Sequence, residues 1–343
     1  MARDDGQWPA EGDGDLAICA RHLRRLYRPR RHVFGGRREI IAVDDVSFQL
    51  RRGTIFGLLG PNGAGKTTTI KMLSTLLIPS GGSATVGGYD VENNERAVRR
   101  LLGVVLGGDR GLYVKLSAWD NLVYFGSLYG MTTESLRSRA GEMLELVGLR
   151  ERAGERVEGF SRGMKQRLHL AKALLHDPPI LILDEPTIGL DPAAAVDLRR
   201  AIADLVPRHS VLLTTHDMNE ADQLCHEIAI VDRGRIVAQG TPEALKTHVA
   251  AERRIVVSTA LPLNGRGATL DAELSALSGV QAVRLQRDTA GGGELTIRCA
   301  DTAATLDATL ALLRGRGIAI SGVRVVEPTL EDAFLCIAGR SFE

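Results

Sequence analysis

Cysteine is scarce and scattered in this chain. Cys19, Cys225, Cys299 and Cys336 form no C-x-x-C pair. That argues against a zinc site or a disulfide framework and suits a reducing compartment. No apolar run is long enough to cross a bilayer. Residues 1–15 are polar, acidic and glycine-containing, the opposite of a signal peptide, and read as a disordered tail. A role at a membrane would therefore run through a partner. An excess of one charge is missing too: 43 Lys and Arg stand against 42 Asp and Glu. The balance implies neither wholesale nucleic-acid binding nor an acidic tail. Internal repeats and low-complexity tracts are also absent. At 343 residues, the chain has room for two domains.

What is present is a phosphate-holding pattern. Gly60-Pro61-Asn62-Gly63-Ala64-Gly65-Lys66-Thr67-Thr68 fits G-x-x-x-x-G-K-[ST]. The run Thr54-Ile55-Phe56-Gly57-Leu58-Leu59 before it reads as a buried strand. Ile70, Leu73 and Leu77 after it recur at helical spacing until Pro79. Strand, glycine loop and helix form the context this motif needs. Glycines let backbone N–H groups curl around phosphate oxygens, and the helix N-terminus adds donors and partial positive charge. Lys66 would reach the β- and γ-phosphates of a nucleotide, and the Thr67 hydroxyl would ligate Mg²⁺.

Along the chain, Leu16-Ala17-Ile18-Cys19-Ala20 is an expected first strand. An arginine-rich stretch follows, from Arg21, Arg24 and Arg25 through Arg28, Arg30 and Arg31 to Arg37 and Arg38. It reads as a solvated loop insertion or as a contact for anionic headgroups or nucleotide. Val46, Phe48 and Leu50 alternate before Arg51-Arg52-Gly53, which predicts a hairpin into the strand of the phosphate loop. Residues 119–149 read as largely helical, broken at Gly130, and residues 162–175 as helical again. Ile180-Leu181-Ile182-Leu183 and Val211-Leu212-Leu213 are solid apolar runs typical of central parallel strands. Beyond about residue 250 the order βαββαβ predicts a small ferredoxin-like domain. Thr329 with Asp332 resembles a capping box for a last helix.

The apolar strands end in chemistry. Asp184 closes one of them, placed to hold Mg²⁺ through water, and Glu185 could accept a proton from an attacking water. His216 ends a second strand, where an imidazole could bond a γ-phosphate oxygen. Parallel α/β sheets bind ligands at such strand ends. Ser161-Arg162-Gly163-Met164 opens a helix. Taken alone it reads as an N-cap, and the same geometry presents a hydroxyl and N–H groups to an anion.

In this order the motifs resemble the ATP-binding subunit of an ABC transporter. The likeness covers residues 16–245, with Gly60 to Thr68 as Walker A, Phe160-Ser161-Arg162-Gly163-Met164 as the signature, and Leu183-Asp184-Glu185 as Walker B. Gly189-Leu190-Asp191 resembles the D-loop, and His216 the switch histidine. The segment Glu327-Pro328-Thr329-Leu330-Glu331-Asp332-Ala333-Phe334-Leu335 resembles the C-terminal extension of daunorubicin-type drug-resistance exporters. The resemblance implies an α/β P-loop ATPase core with an antiparallel β subdomain and a helical subdomain over residues 16–250. A C-terminal α+β domain would occupy residues 251–343.

It also implies ATP and Mg²⁺ as ligands. Two copies would pack head to tail, Ser161, Arg162, Gly163 and Met164 acting in trans and Asp191 coupling the sites. The implied activity is ATP hydrolysis driving efflux, most readily of a drug or antibiotic, with Glu185, His216 and Lys66 catalytic. An integral membrane permease would be the partner, contacted within residues 107–129, and the subunit would lie peripherally on the cytoplasmic face of the membrane; no nucleic acid is implied. For Trp119, Tyr124 and Phe125, plain helical core is the competing reading. Three features depart from the family pattern. Arg162 and Met164 stand where glycine and glutamine are commonest. Gly107 stands at the Q-loop glutamine, with Asp109 or water as the substitute contact. Tyr27 is the adenine-stacking aromatic, with Phe34 as its rival. Other readings are a soluble ABC-type ATPase in translation or DNA repair, a sodium, lipid or polysaccharide exporter subunit, and a regulator without turnover. Glu185 argues against the last. The lack of paired cassettes or a coiled-coil insertion argues against the first.

Overall fold

The computed structural model describes residues 15–27, 39–106, 111–247, 253–259, 267–287, 293–299 and 301–337. The tail before Asp15, the arginines at 28–38 with Phe34, and Gly107 to Asp109 lie outside them. The chain divides into two compact units, Met1–Pro242 and Glu243–Glu343. The division falls ahead of residue 250, where the change in sequence pattern put it.

In the first unit β1 (Leu16–Tyr27) and β2 (Ile40–Arg51) lead to β3 (Ile55–Leu59), and α1 (Lys66–Leu73) follows the phosphate loop. Next come β4 (Gly81–Val86), β5 (Tyr89–Asp90), α2 (Glu95–Leu101) and β6 (Leu102–Val105). A helical region holds α3 (Ala118–Leu128), α4 (Thr133–Leu146) and α5 (Arg162–Leu174). The chain returns through β7 (Ile180–Asp184), α6 (Pro192–Ala203), β8 (Ser210–Thr215), α7 (Met218–Leu224), β9 (Glu227–Asp232) and β10 (Arg235–Gly240).

Two sheets result. One has the order β2-β1-β4-β5, the other β10-β9-β3-β8-β7-β6. In the second, β3, β6, β7, β8 and β9 run parallel, and β10 closes one edge as an antiparallel strand. Every residue of β3, β7 and β8 is buried, the price of lying between two covered faces. Those are the apolar runs of the sequence, and all three point their carboxyl ends at one edge of the fold.

The hairpin expected between β2 and β3 does not form. β2 pairs antiparallel with β1 in the first sheet, and the turn at Arg51 to Gly53 passes the chain to the second sheet. Alternation in β2 correctly marks one buried face, but says nothing of which strand it pairs with. The two sheets meet where Phe48 stacks on Phe56, ring centroids 5.0 Å apart. Of the arginine stretch, Arg24 pairs with Asp44 at 3.2 Å and Arg25 donates to the Ile78 carbonyl at 2.6 Å.

The helical region is tied to the β6 edge by His176. Its ring stacks on Tyr129 at 3.9 Å, and Nε2 donates to the Leu102 carbonyl at 3.2 Å. Burial pushes the imidazole down to about 4 from its ordinary 6.5. The folded state thus binds this proton less readily than the unfolded chain. Stability is complete above pH 6.5 and is lost as pH falls toward 4. Between pH 7 and pH 5, His176 costs about 2 kcal/mol of unfolding free energy. Urea titrations should show that His176→Phe, which keeps the stack, loses most of that acid sensitivity; equal sensitivity in both proteins would refute the assignment.

The second unit begins within α8 (Pro242–Thr247). It continues as β11 (Arg254–Thr259), α9 (Gly267–Ser275), β12 (Val280–Arg287), β13 (Gly293–Cys299), α10 (Thr302–Gly315), β14 (Ile320–Val326) and α11 (Leu330–Ile337). Its sheet is antiparallel, in the order β12-β13-β11-β14. Ile255, Val257, Leu295, Ile297 and Cys299 form one buried face against Leu270, Leu274 and Leu313. Thr329 and Asp332 cap α11 reciprocally: Thr329 N–H donates to Asp332 at 2.9 Å, and Asp332 N–H donates to Thr329 Oγ1 at 3.1 Å.

Candidate active site

The phosphate loop leaves β3 at Gly60 and enters α1 at Lys66. A side chain at Gly60 would collide with the Val231 carbonyl. Gly65 has φ +107°, and a Cβ there would come within 2.5 Å of the Ala42 carbonyl oxygen. Pro61 is half-buried, Asn62 and Gly63 are exposed, and Ala64 is buried. Gly65 caps α1 without a side-chain acceptor, unlike Ser117, Thr132 and Asp191, which cap their own helices. The amides of Lys66, Thr67 and Thr68 therefore open the helix as free donors, the arrangement that takes a phosphate.

Lys66 is only 5% exposed, although it is a lysine. Its Nζ donates to the carbonyls of Gly60 at 2.6 Å and Pro61 at 3.2 Å, and pairs with Glu185 Oε1 at 3.2 Å. Thr67 Oγ1 donates to Asp184 Oδ2 at 3.0 Å. Asp184 is buried at the end of β7 and also accepts from Thr214 Oγ1 at 2.5 Å. Thr67 and Asp184 thus set a hydroxyl and a carboxylate side by side. These are hard oxygen donors of the kind Mg²⁺ takes, one or two from protein and the rest from phosphate and water.

Glu185 follows with φ +51°, unusual for a side-chain-bearing residue. The Thr214 carbonyl holds it there by accepting its N–H at 3.0 Å. Such strain collects at functional positions. The carboxylate, 14% exposed, lies between Lys66 Nζ and His216 Nδ1, the latter 2.5 Å away. His216 is 45% exposed. Lys66, Thr67, Asp184, Glu185 and His216 are thus gathered at the carboxyl ends of β3, β7 and β8. Thr214 belongs with them and escaped the sequence reading, because a threonine inside an apolar strand carries no motif of its own.

The signature lies at the start of α5. Ser161 Oγ accepts from the Met164 N–H at 3.3 Å, so its bland reading as an N-cap holds. Ser161 and Arg162 are exposed, while Gly163 and Met164 are buried. No Walker A residue is among Ser161's described contacts. A Cβ on Gly163 would press on Ala194 Cβ at 3.1 Å, so this glycine permits α5 to meet α6. Asp191 caps α6 by accepting from the Ala194 N–H at 2.9 Å. The Arg162 guanidinium lies over Gly189, whose φ of +67° favours glycine there. Signature and D-loop are neighbours within one chain.

Tyr27 ends β1, paired with Ile40, two residues from the Ala42 carbonyl that abuts Gly65. It is exposed, with the Arg25 guanidinium 5.1 Å from its ring centroid. Trp119, Tyr124 and Phe125 are not core: the buried residues of α3 are Ala118, Asn121, Leu122 and Gly126.

A parallel sheet, a glycine loop entering a helix, and a carboxylate pair at the next strand end define a P-loop nucleoside triphosphatase. Residues 43–188 match the family model described as ABC transporter. The linearmycin resistance ATP-binding protein LnrL of Bacillus subtilis is 36% identical over 300 residues, covering 87% of this chain and 94% of that protein. The doxorubicin resistance ATP-binding protein DrrA of Mycobacterium tuberculosis is 43% identical over 68% of each chain. The daunorubicin resistance ATP-binding protein DrrA3 of Streptomyces coeruleorubidus is 36% identical, covering 87% of this chain and 91% of that one. Among solved structures, an ATP-binding subunit of an ABC transporter superposes with TM-score 0.58 at 29% identity, covering 68% of this chain and 93% of that one. The chain belongs to the ABC transporter ATP-binding family and is an ATPase.

Proposed function

We propose that this chain powers an exporter as one of two identical ATPase subunits, each completing the other's site. The observation that carries the reading is the convergence of Lys66, Thr67, Asp184, Glu185 and His216 at one sheet edge. Lys66, with the amides of Lys66, Thr67 and Thr68, grips the triphosphate, and Tyr27 stacks on the adenine. Thr67 and Asp184 would hold Mg²⁺, which supplies charge neutralisation on the phosphate oxygens. Glu185 takes the proton of the attacking water, and His216 bonds the γ-phosphate side. Ser161 and Gly163, with Arg162 and Met164 flanking, face the triphosphate of the second copy in a head-to-tail dimer, and Asp191 links the two sites. Exposure of Ser161 supports that use.

No helix among the described residues is long and apolar enough to cross a membrane. A separate integral membrane permease completes the transporter and holds the subunit at the cytoplasmic face. The contact falls within residues 107–129. Tyr113, Tyr124 and Phe125 cluster there, Tyr113 and Tyr124 with ring centroids 4.9 Å apart, and Leu116 and Leu128 are exposed beside them. Clustered aromatics of this kind anchor interfaces. For the exported molecule, a drug or antibiotic is the reading that the names of the linearmycin, doxorubicin and daunorubicin resistance relatives support. Those names also weigh against the translation and DNA-repair reading.

The test is co-expression with the membrane protein encoded alongside. Tyr124→Glu should lower recovery of the complex about tenfold, as expected for a lost hot spot. ATPase activity of the isolated subunit should stay unchanged. Full recovery of the complex would remove this face from the interface.

A further inference from the structure

Glu220 is completely buried, and its carboxylate makes no well-formed hydrogen bond among the described residues, although the hydroxyls of Thr215 and Thr187 lie close enough to act on it. Folded proteins rarely keep such a group, because each unpartnered oxygen forfeits its hydration. Helix capping does not account for it. Asp217 caps α7, accepting from the N–H groups of Asn219 and Glu220.

The groups that bear on Glu220 come from three elements. They are the Thr215 hydroxyl at the end of β8, the Thr187 hydroxyl between Glu185 and Asp191, and Arg199 on α6, with Asp217 beside it on its own helix. Burial raises the Glu220 pKa, and the two hydroxyls pull it back down. Thr215 Oγ1 already accepts from the Asp217 N–H at 2.9 Å, so its own proton is available to donate. The Thr215 carbonyl accepts from Gly60 N–H at 3.3 Å, and the next residue is His216. Thr187 starts the turn into the D-loop, its carbonyl accepting from Leu190 N–H at 3.1 Å. A buried carboxylate therefore stands between the segment carrying His216 and the segment carrying Asp191.

We propose that Glu220 is a positioning residue that couples the D-loop to the switch histidine. When two copies close on ATP, the hydroxyls of Thr187 and Thr215 each donate to one carboxylate oxygen, holding Asp191 and His216 in register. The coupling rests on the dimer reading above. Glu220 touches no reacting atom; it acts through the two threonines.

The test uses the full-length chain. Glu220→Leu should lower kcat about tenfold, the scale of a lost charge-assisted hydrogen bond. The KM for ATP should stay within about twofold, and the thermal midpoint should hold or rise, because an unpartnered carboxylate has gone. Glu220→Gln, which keeps one acceptor, should recover part of the rate. Thr187→Val should lose as much as Glu220→Leu, Thr187→Ser should recover it, and the double variant should be no worse than either single one. Placed on Glu185→Gln, Glu220→Leu should raise the ATP concentration for half-maximal dimerisation about tenfold, in line with the same lost bond. The coupling is overturned if Glu220→Leu leaves kcat and dimerisation unchanged. It is equally overturned if kcat, KM and thermal midpoint all worsen together, or if the losses add in the double variant. Should Glu185→Gln alone stay monomeric in saturating ATP, the dimer itself is refuted, and the coupling with it.

Discussion

Glu185→Gln should retain ATP binding and lose turnover by about 100- to 10,000-fold, the range spanned by general-base catalysis. The substitution is nearly isosteric. Its amide oxygen can still accept from Lys66, and its NH₂ can donate to His216 in place of the present 2.5 Å contact. What disappears is a group able to take a proton from water. ATP should then persist in the closed site, and size-exclusion chromatography with ATP should show a dimer that ADP does not support. Turnover at the wild-type rate would strip Glu185 of its role.

Lys66→Ala should act one step earlier. The lysine is buried and held against Gly60 and Pro61, so its charge is fixed at the mouth of the loop. Charge-assisted bonds to phosphate of this kind are worth on the order of 3 kcal/mol together, about a 100-fold loss of ATP affinity. The loss should appear in a binding titration rather than in kcat alone. Removing Lys66 also takes a cation from Glu185, leaving His216 as its remaining close side-chain partner. A circular-dichroism melt should accompany the titration: unaltered affinity would contradict the phosphate-cradle assignment, and an intact melt with lost affinity would support it.

The phosphate loop and the ends of β7 and β8 were legible because they are local. A glycine-rich turn between an apolar run and a helical period states its own geometry within fifteen residues or so. Burial of β3, β7 and β8 was legible for the same reason, as unbroken apolar runs. Partnership between strands was not. Phe48 and Leu50 mark a buried face in β2, yet the register that pairs β2 with β1 depends on residues far away in the chain. Aromatic residues of α3 could be placed on a helix but not on a side of it: Tyr124 faces out, while Asn121, a polar residue, faces in and bonds the Tyr113 backbone. Thr214 and Glu220 carry no motif, and only tertiary structure shows the first holding Asp184 and the second buried near the hydroxyls of Thr187 and Thr215. Ser161 was legible as a cap, and the Met164 N–H bond to its hydroxyl bears that out.

The two rims of the central sheet carry a practical consequence. β6 is only four residues long, and β10 is broken by a register shift between Ile236 and Ala238. Short or bulged rims offer a poor template for a stray strand from a neighbouring molecule. This sheet should therefore contribute little to self-association when the subunit is concentrated. Any clouding should begin elsewhere, at the exposed tyrosines or at Val323 and Val325 on the edge strand β14, where a mild detergent would reverse it.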